Sequence, residues 1–230
     1  MPAERALLVL GADGCRGGGW VVALVDGEGE LHWEWAADTT ALLDLAEGYD
    51  ADAVAVDVPI GLPDLGAVRE CDGLARARLG ARRSSVFAAP PREVLSCADY
   101  ASARPLAPSL SAQAFGLVPR IREVDEVLRG RGPSVHEQVF ECHPEVAFAF
   151  AAAGRLELAT KKSAAGALQR IGLLEEALGA LPADVPPGAA LDDALDAAAC
   201  ALVAHRWAAG EAEVLGGERD ALGLPMRIVL

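Results

Sequence analysis

The stretch ALLVLGADGCRGGGW, residues 6–20, constrains the fold more tightly than any other part of the chain. Five apolar residues, Ala6 to Leu10, run into Gly11, Ala12 and a single carboxylate, Asp13. A glycine-rich turn follows, and a second apolar run opens at Trp20. A short unbroken apolar run bounded by turn residues is the pattern of a buried strand. Asp13 therefore falls where a central strand ends, and an unpaired acid there is costly unless a cation neutralises it.

The chain after this stretch extends the pattern. Residues 6–13, 20–26 and 30–36 read as three strands, the last two joined by the Asp-Gly turn DGEGE. Asp38, Thr39 and Thr40 cap a short helix, and Val54, Ala55 and Val56 form a fourth strand that stops at Asp57-Val58-Pro59. Strand, helix, strand is a crossover unit, so the fourth strand should run parallel to the first. Asp13 and Asp57 then share one edge of the sheet, where ligand sites of such sheets collect. Residues 64–132 are less regular and read as a helical insertion or cap within a single domain spanning 1–230. Its helices are expected to end at Gly80, to span 92–101, and to span 119–130. A fifth strand is expected over 135–141, ending at Glu141, followed by a short apolar helix and a longer one from Lys161 to Leu181 capped by Thr160. LDDALDAAACALVAHRWAAG closes the chain as a helix whose Asp193 and Asp196 project from one face. The fold class is thus α/β, a mixed five-stranded sheet flanked by helices.

Composition narrows the function. A chain of 230 residues, 52% hydrophobic and 23% charged, is that of an ordinary globular protein. The amino terminus has no basic region leading into a long apolar core, and no stretch reaches the roughly 20 apolar residues of a membrane span. Five scattered cysteines without a CxxC pair read as free thiols in a reduced, cytoplasmic protein. The net charge of −14 argues against a simple basic coat for nucleic acid. Residues 69–131 nevertheless carry +4, against −18 for the remainder, and Arg76, Arg78, Arg82 and Arg83 crowd into that sector. Such a cluster is most simply a solvated helix face.

Four acidic positions lie at strand ends or a helix start: Asp13, Asp57, Glu141 and the Asp193/Asp196 pair. Acids brought together from distant parts of a chain suit Mg²⁺ or Mn²⁺, which prefer carboxylate and water oxygens. Two such ions about 4 Å apart can clamp a phosphate and activate water for in-line attack. Any one of these acids alone is more often a turn or cap residue. Other motifs are weaker. Gly11–Gly19 contains neither GxGxxG nor GK[ST]. His143 beside Cys142 has no second ligand pair at zinc spacing. Cys15 and Ser84-Ser85 have no recognisable base, and Trp20, Trp33 and Trp35 fit strand packing better than base stacking.

The order of elements resembles the ribonuclease H-like fold, and the strand acids with the DxxDA helix resemble RuvC-type resolvases, with Asp57 where those carry a glutamate. More closely, GADGCRGGGWVVAL, VDVPIGLP, RxCDxxARxxLGxRxSSVF, the span from Ile121-Arg-Glu-Val-Asp125 to Glu141-Cys-His-Pro-Glu145, Lys161-Lys162 and DDALDAAACAL are similar to one group. It is domain-of-unknown-function family 429, described as predicted ribonuclease H-like nucleases. The resemblance implies a metal-dependent nuclease acting on DNA or RNA, with Asp13, Asp57, Glu141, Asp193 and Asp196 as catalytic and metal-binding candidates. In that reading Asp13 bridges two Mg²⁺ or Mn²⁺ ions, Asp57 and Asp196 hold one each, and Asp193 or Glu141 completes the shell. Arg82, Arg83, Lys161 and Lys162 would contact phosphates, which bind through counterion release. Two alternatives stay open: an actin- or sugar-kinase-like phosphotransferase with a phosphate-binding hairpin at Asp13-Gly14, and a non-catalytic binding module. The partner expected is nucleic acid and not a membrane, with a homodimer left open.

Overall fold

A computed structural model describes residues 6–230. The reading of the extreme amino terminus falls partly on residues 1–5, outside the described residues. The fold is mixed α/β: seven strands in a mixed sheet, flanked by helices. In chain order these are β1 (Val9–Gly14), β2 (Trp20–Val25), β3 (Leu31–Ala36), α1 (Thr39–Gly48), β4 (Ala53–Val56), α2 (Glu70–Leu79), α3 (Tyr100–Ala103), α4 (Ala112–Phe115), α5 (Val118–Arg131), α6 (Val135–Gln138), β5 (Val139–Cys142), α7 (Pro144–Ala152), α8 (Ala164–Leu178), α9 (Leu191–Ala208), β6 (Val214–Arg219) and β7 (Pro225–Val229). The chain divides into two compact units. One comprises residues up to 57, 142–213 and 229–230, and the other comprises 58–141 and 214–228.

The first unit carries β3-β2-β1-β4 with α1, α7, α8 and α9. β1 pairs antiparallel with β2, Asp13 facing Val21, and β2 pairs antiparallel with β3. β4 runs parallel to β1, with Ala12 opposite Val56. Val9, Leu10, Ala12, Val54 and Ala55 are fully buried, as unbroken apolar runs in a central parallel pair should be. The glycines after Asp13 serve the hairpin. Cys15 and Gly19 close it with a 3.1 Å hydrogen bond, and a Cβ on Gly19 would stand 2.4 Å from the Trp35 ring. α9 lies directly on β1: a Cβ on Gly11 would fall 1.9 Å from the Ala201 nitrogen and 2.3 Å from the Ala197 oxygen. Small residues on both elements permit this approach, with Ala197, Ala198 and Ala201 all fully buried.

The second unit holds α2 to α6 and the strands β5, β7 and β6, neighbours in that order. Residues 64–132 lie within it, with a small core of their own built from Val94, Ala103, Ala107, Leu110, Ala114 and Val118. Its polar interior rests on two arginines. Arg69, fully buried, binds both oxygens of Glu141 and also Asp72. Arg92 joins Asp125 to Asp220. The Val58–Pro63 segment is pinned between them, because the Ile60 N–H donates to Glu141 and the Leu62 N–H donates to Asp220.

Three boundaries differ from the sequence expectation. The strand count is seven, not five, because β6 and β7 follow the helix read as closing the chain. They are joined by an Asp220 turn whose carboxylate accepts from the Leu222 and Leu224 N–H groups. The helix expected from Lys161 starts instead at Ala164, capped by Ser163, whose hydroxyl accepts from the Gly166 N–H at 3.0 Å. Residues 135–138 form a helical turn, so β5 is shorter than the strand expected over 135–141.

Candidate metal centre

Asp13, Asp57 and Asp196 meet in the first unit, each offering a carboxylate oxygen within 4.8 Å of the other two. Local structure explains each placement. Asp13 sits near the end of β1, and its own carboxylate accepts the Gly14 N–H at 2.7 Å. Asp57 follows the parallel β4, its N–H donating to the Ala12 carbonyl at 3.1 Å, which sets the two strand ends side by side. Asp196 stands one residue before Ala197, the backbone that touches Gly11, so helix–strand contact carries it to Asp13. Asp13 and Asp57 keep partial solvent access, whereas Asp196 is 3% exposed. The cluster has a floor and an open side.

A lysine enters the same cluster. Lys161 Nζ lies 2.7 Å from Asp196 Oδ2. The other oxygen, Asp196 Oδ1, is buried and has no hydrogen-bond partner among the described residues. The turn that presents Lys161 is fixed by Arg170, which is 1% exposed. Its guanidinium donates to Glu145 Oε1 at 2.7 Å and to the carbonyls of Ala159 and Gly166, at 3.1 and 2.9 Å.

Electrostatics reflects this crowding. Burial, followed by repulsion from Asp57, Asp196 and Asp193, holds the Asp13 carboxyl well above the usual range. Burial pushes Asp57 and Asp196 up to about 7 even though Lys161 opposes the shift in both. For Lys161 burial acts downward, but the charges of Asp196, Asp57 and Asp13 outweigh it and raise the ammonium to about 12. Metal-free, the site is a set of reluctant carboxylates around one firmly charged lysine.

The other residues singled out in the sequence stand elsewhere. Glu141, expected among the ligands, gives both oxygens to Arg69 at 2.6 and 3.0 Å in the second unit, where a buried arginine needs a counter-charge. Asp193 lies near enough for its charge to act on Asp13, but it accepts the Ala190 N–H at 3.1 Å as a helix cap. Lys162 is exposed. Arg82 and Arg83 belong to a 3-10 turn, Gly80–Ser85, of the second unit. Much of the positive sector is internal wiring, since Arg69, Arg76, Arg92 and Arg129 all bind protein oxygens. Burial and then Asp193 push the Cys15 thiol up to about 11, which disfavours its thiolate. None of the five cysteines forms a disulfide. A second group able to hold a metal, Asp26, Glu30 and His32, is a hairpin turn whose Asp26 already accepts two backbone N–H groups and His32. Sequence reading missed the Arg170–Glu145 pair. Its one signal was a charged residue among the buried positions of α8.

The fold and site together define an α/β protein with a three-carboxylate cluster at the carboxyl ends of two parallel strands. Residues 11–221 match the family described as Protein of unknown function (DUF429), and the chain belongs to that family. No curated protein and no solved structure gives a match. No helix among the described residues is long and apolar enough to cross a membrane.

Proposed function

We propose that this protein is a metal-dependent nuclease that hydrolyses phosphodiester bonds of DNA or RNA at the Asp13–Asp57–Asp196 cluster. The observation that carries the reading is the Asp196 Oδ1 atom, buried and without a hydrogen-bond partner among the described residues, on a carboxylate that gathers with those of Asp13 and Asp57 within 4.8 Å. A buried acceptor left unsatisfied calls for a missing donor or cation. The donor set is oxygen alone, which suits Mg²⁺ or Mn²⁺ and not zinc. A ribonuclease H-like core is part of the proposal, supported by the antiparallel meander, the parallel crossover to β4 and the acid-bearing helix packed on β1.

In this reading Asp13, Asp57 and Asp196 hold the ion. When bound, a divalent ion supplies Lewis-acid polarisation of a phosphoryl oxygen and lowers the pKa of coordinated water. The chain's own contribution is orientation. Gly11 sets the approach of α9, Asp196 closes the buried side, and the partial exposure of Asp13 and Asp57 leaves a face that a phosphate can reach. Lys161 supplies positive charge beside the acids, and Lys162 extends it to the surface.

Purified protein with Mn²⁺ should cut at least one of a single-stranded, duplex, hybrid or branched substrate, and Asp13→Asn should lower that rate at least a hundredfold. Cleavage of none, or cleavage by Asp13→Asn at the wild-type rate, sinks the proposal.

A further inference from the structure

We infer that Lys161 fills the role of a second cation, so that the cluster takes one divalent ion and not two. The inference rests on the metal-dependent reading above and specifies how many ions it requires.

Ligand supply supports it first. Two adjacent ions need more carboxylate oxygens than one ion does. Of the acids near the cluster or proposed for it, Glu141 is fully engaged by Arg69 and Glu145 is held by Arg170. Asp193 gives one oxygen to the Ala190 N–H and stands outside the group of three carboxylates. Three carboxylates remain, each offering an oxygen within 4.8 Å of the other two. One Asp13 oxygen is further engaged by the Gly14 N–H at 2.7 Å.

Charge supports it second. The three carboxylates carry three negative charges, and Lys161 with one divalent ion balances them. A second divalent ion would bring two positive charges beyond what the three carboxylates balance, with only Asp193 beside them to offset part, which is costly in a partly buried site.

Position supports it third. Lys161 Nζ takes Asp196 Oδ2 and leaves Oδ1 of the same carboxylate unpartnered. One carboxylate thus gives one oxygen to the ammonium and keeps the other buried without a hydrogen-bond partner among the described residues. Lys161, whose side chain is 36% exposed, is presented by an ordered turn. Ser163 starts α8 two residues after Lys161, and Arg170 ties the carbonyls on either side of the turn, Ala159 and Gly166. A Cβ on Gly166 would stand 2.1 Å from the Thr160 oxygen, so the turn is tight. A lysine placed this way can neutralise a phosphoryl oxygen as a metal ion would, through hydrogen bonding and charge.

The test is Mn²⁺ titration, by calorimetry and by the electron paramagnetic resonance signal of free Mn²⁺, on wild type, Lys161→Gln and Lys161→Arg. Thermal melts would confirm that each variant is folded. Wild type and Lys161→Arg should bind one Mn²⁺ per chain. Lys161→Gln should bind its first Mn²⁺ about tenfold more tightly, because a like charge beside the ion is gone, and should admit a second. Two ions per wild-type chain overturns the inference while leaving the nuclease reading intact, and so does a Lys161→Gln titration identical to wild type. If Lys161→Gln does not fold, the same comparison is made with Lys161→Met. Failure of all folded proteins to bind Mn²⁺ overturns the metal reading itself, and the inference with it.

Discussion

Gly11 of β1 and Ala201 of α9 stand so close that a methyl group on Gly11 would lie 1.9 Å from the Ala201 backbone nitrogen. Atoms cannot share that space, so helix and strand must part if a side chain is added. This contact aligns the two segments that carry Asp13 and Asp196, which makes the glycine a determinant of site geometry as well as of packing.

Gly11→Ala is therefore expected to destabilise the chain by about 1–3 kcal/mol, the usual range for overpacking a core. Urea denaturation gives the stability loss. A titration of the folded variant should also show weakened Mn²⁺ binding, because Asp196 moves with α9. Wild-type stability in Gly11→Ala would contradict the packing account.

The cluster should make the metal-free protein sensitive to pH in a definite direction. Asp57 and Asp196 titrate at about 7 when folded, and near 3.9 when unfolded. Between those values the folded state binds more protons, so its stability falls as pH rises. The contribution is complete below about pH 4 and lost by about pH 7. Melting temperatures in chelator across this window, for wild type and for Asp57→Asn, isolate the effect. The advantage of Asp57→Asn over wild type should grow as pH rises, and Mn²⁺ should raise the wild-type melting temperature while leaving the variant's nearly unchanged. A constant difference between the two proteins would count against the repulsive cluster.

Glu141 offers a contrast with the three aspartates. Its pairing with Arg69 is structural, so Glu141→Gln should cost about 3–5 kcal/mol, the usual penalty for breaking a buried ion pair. The folded variant should bind Mn²⁺ as wild type does. Loss of Mn²⁺ binding without loss of stability would restore Glu141 to the ligand set.

Much of this site could be read in advance. Asp13 and Asp57 each follow an apolar run that ends abruptly, and a crossover between the runs places them side by side. Asp196 was visible as an acid on a stripe of small residues, the face that packs on β1. Periodicity reports which positions are buried and not which side chains meet across the chain. Arg69 and Glu141 lie 72 positions apart, Glu141 closes a strand much as Asp57 follows one, and nothing local distinguishes the two acids. The pairing of Lys161 with Asp196 has no local signal, because its turn is irregular and is fixed by Arg170 and Gly166 further along. The last two strands are short and follow a strong helix that already completes the expected order of elements, and Asp220 and Gly223 mark their turn.

The most direct test is anomalous diffraction from crystals soaked in Mn²⁺. The account predicts one peak within coordination distance of Asp13, Asp57 and Asp196. No peak there while the soaked ion binds elsewhere, or a peak at Glu141, would contradict it.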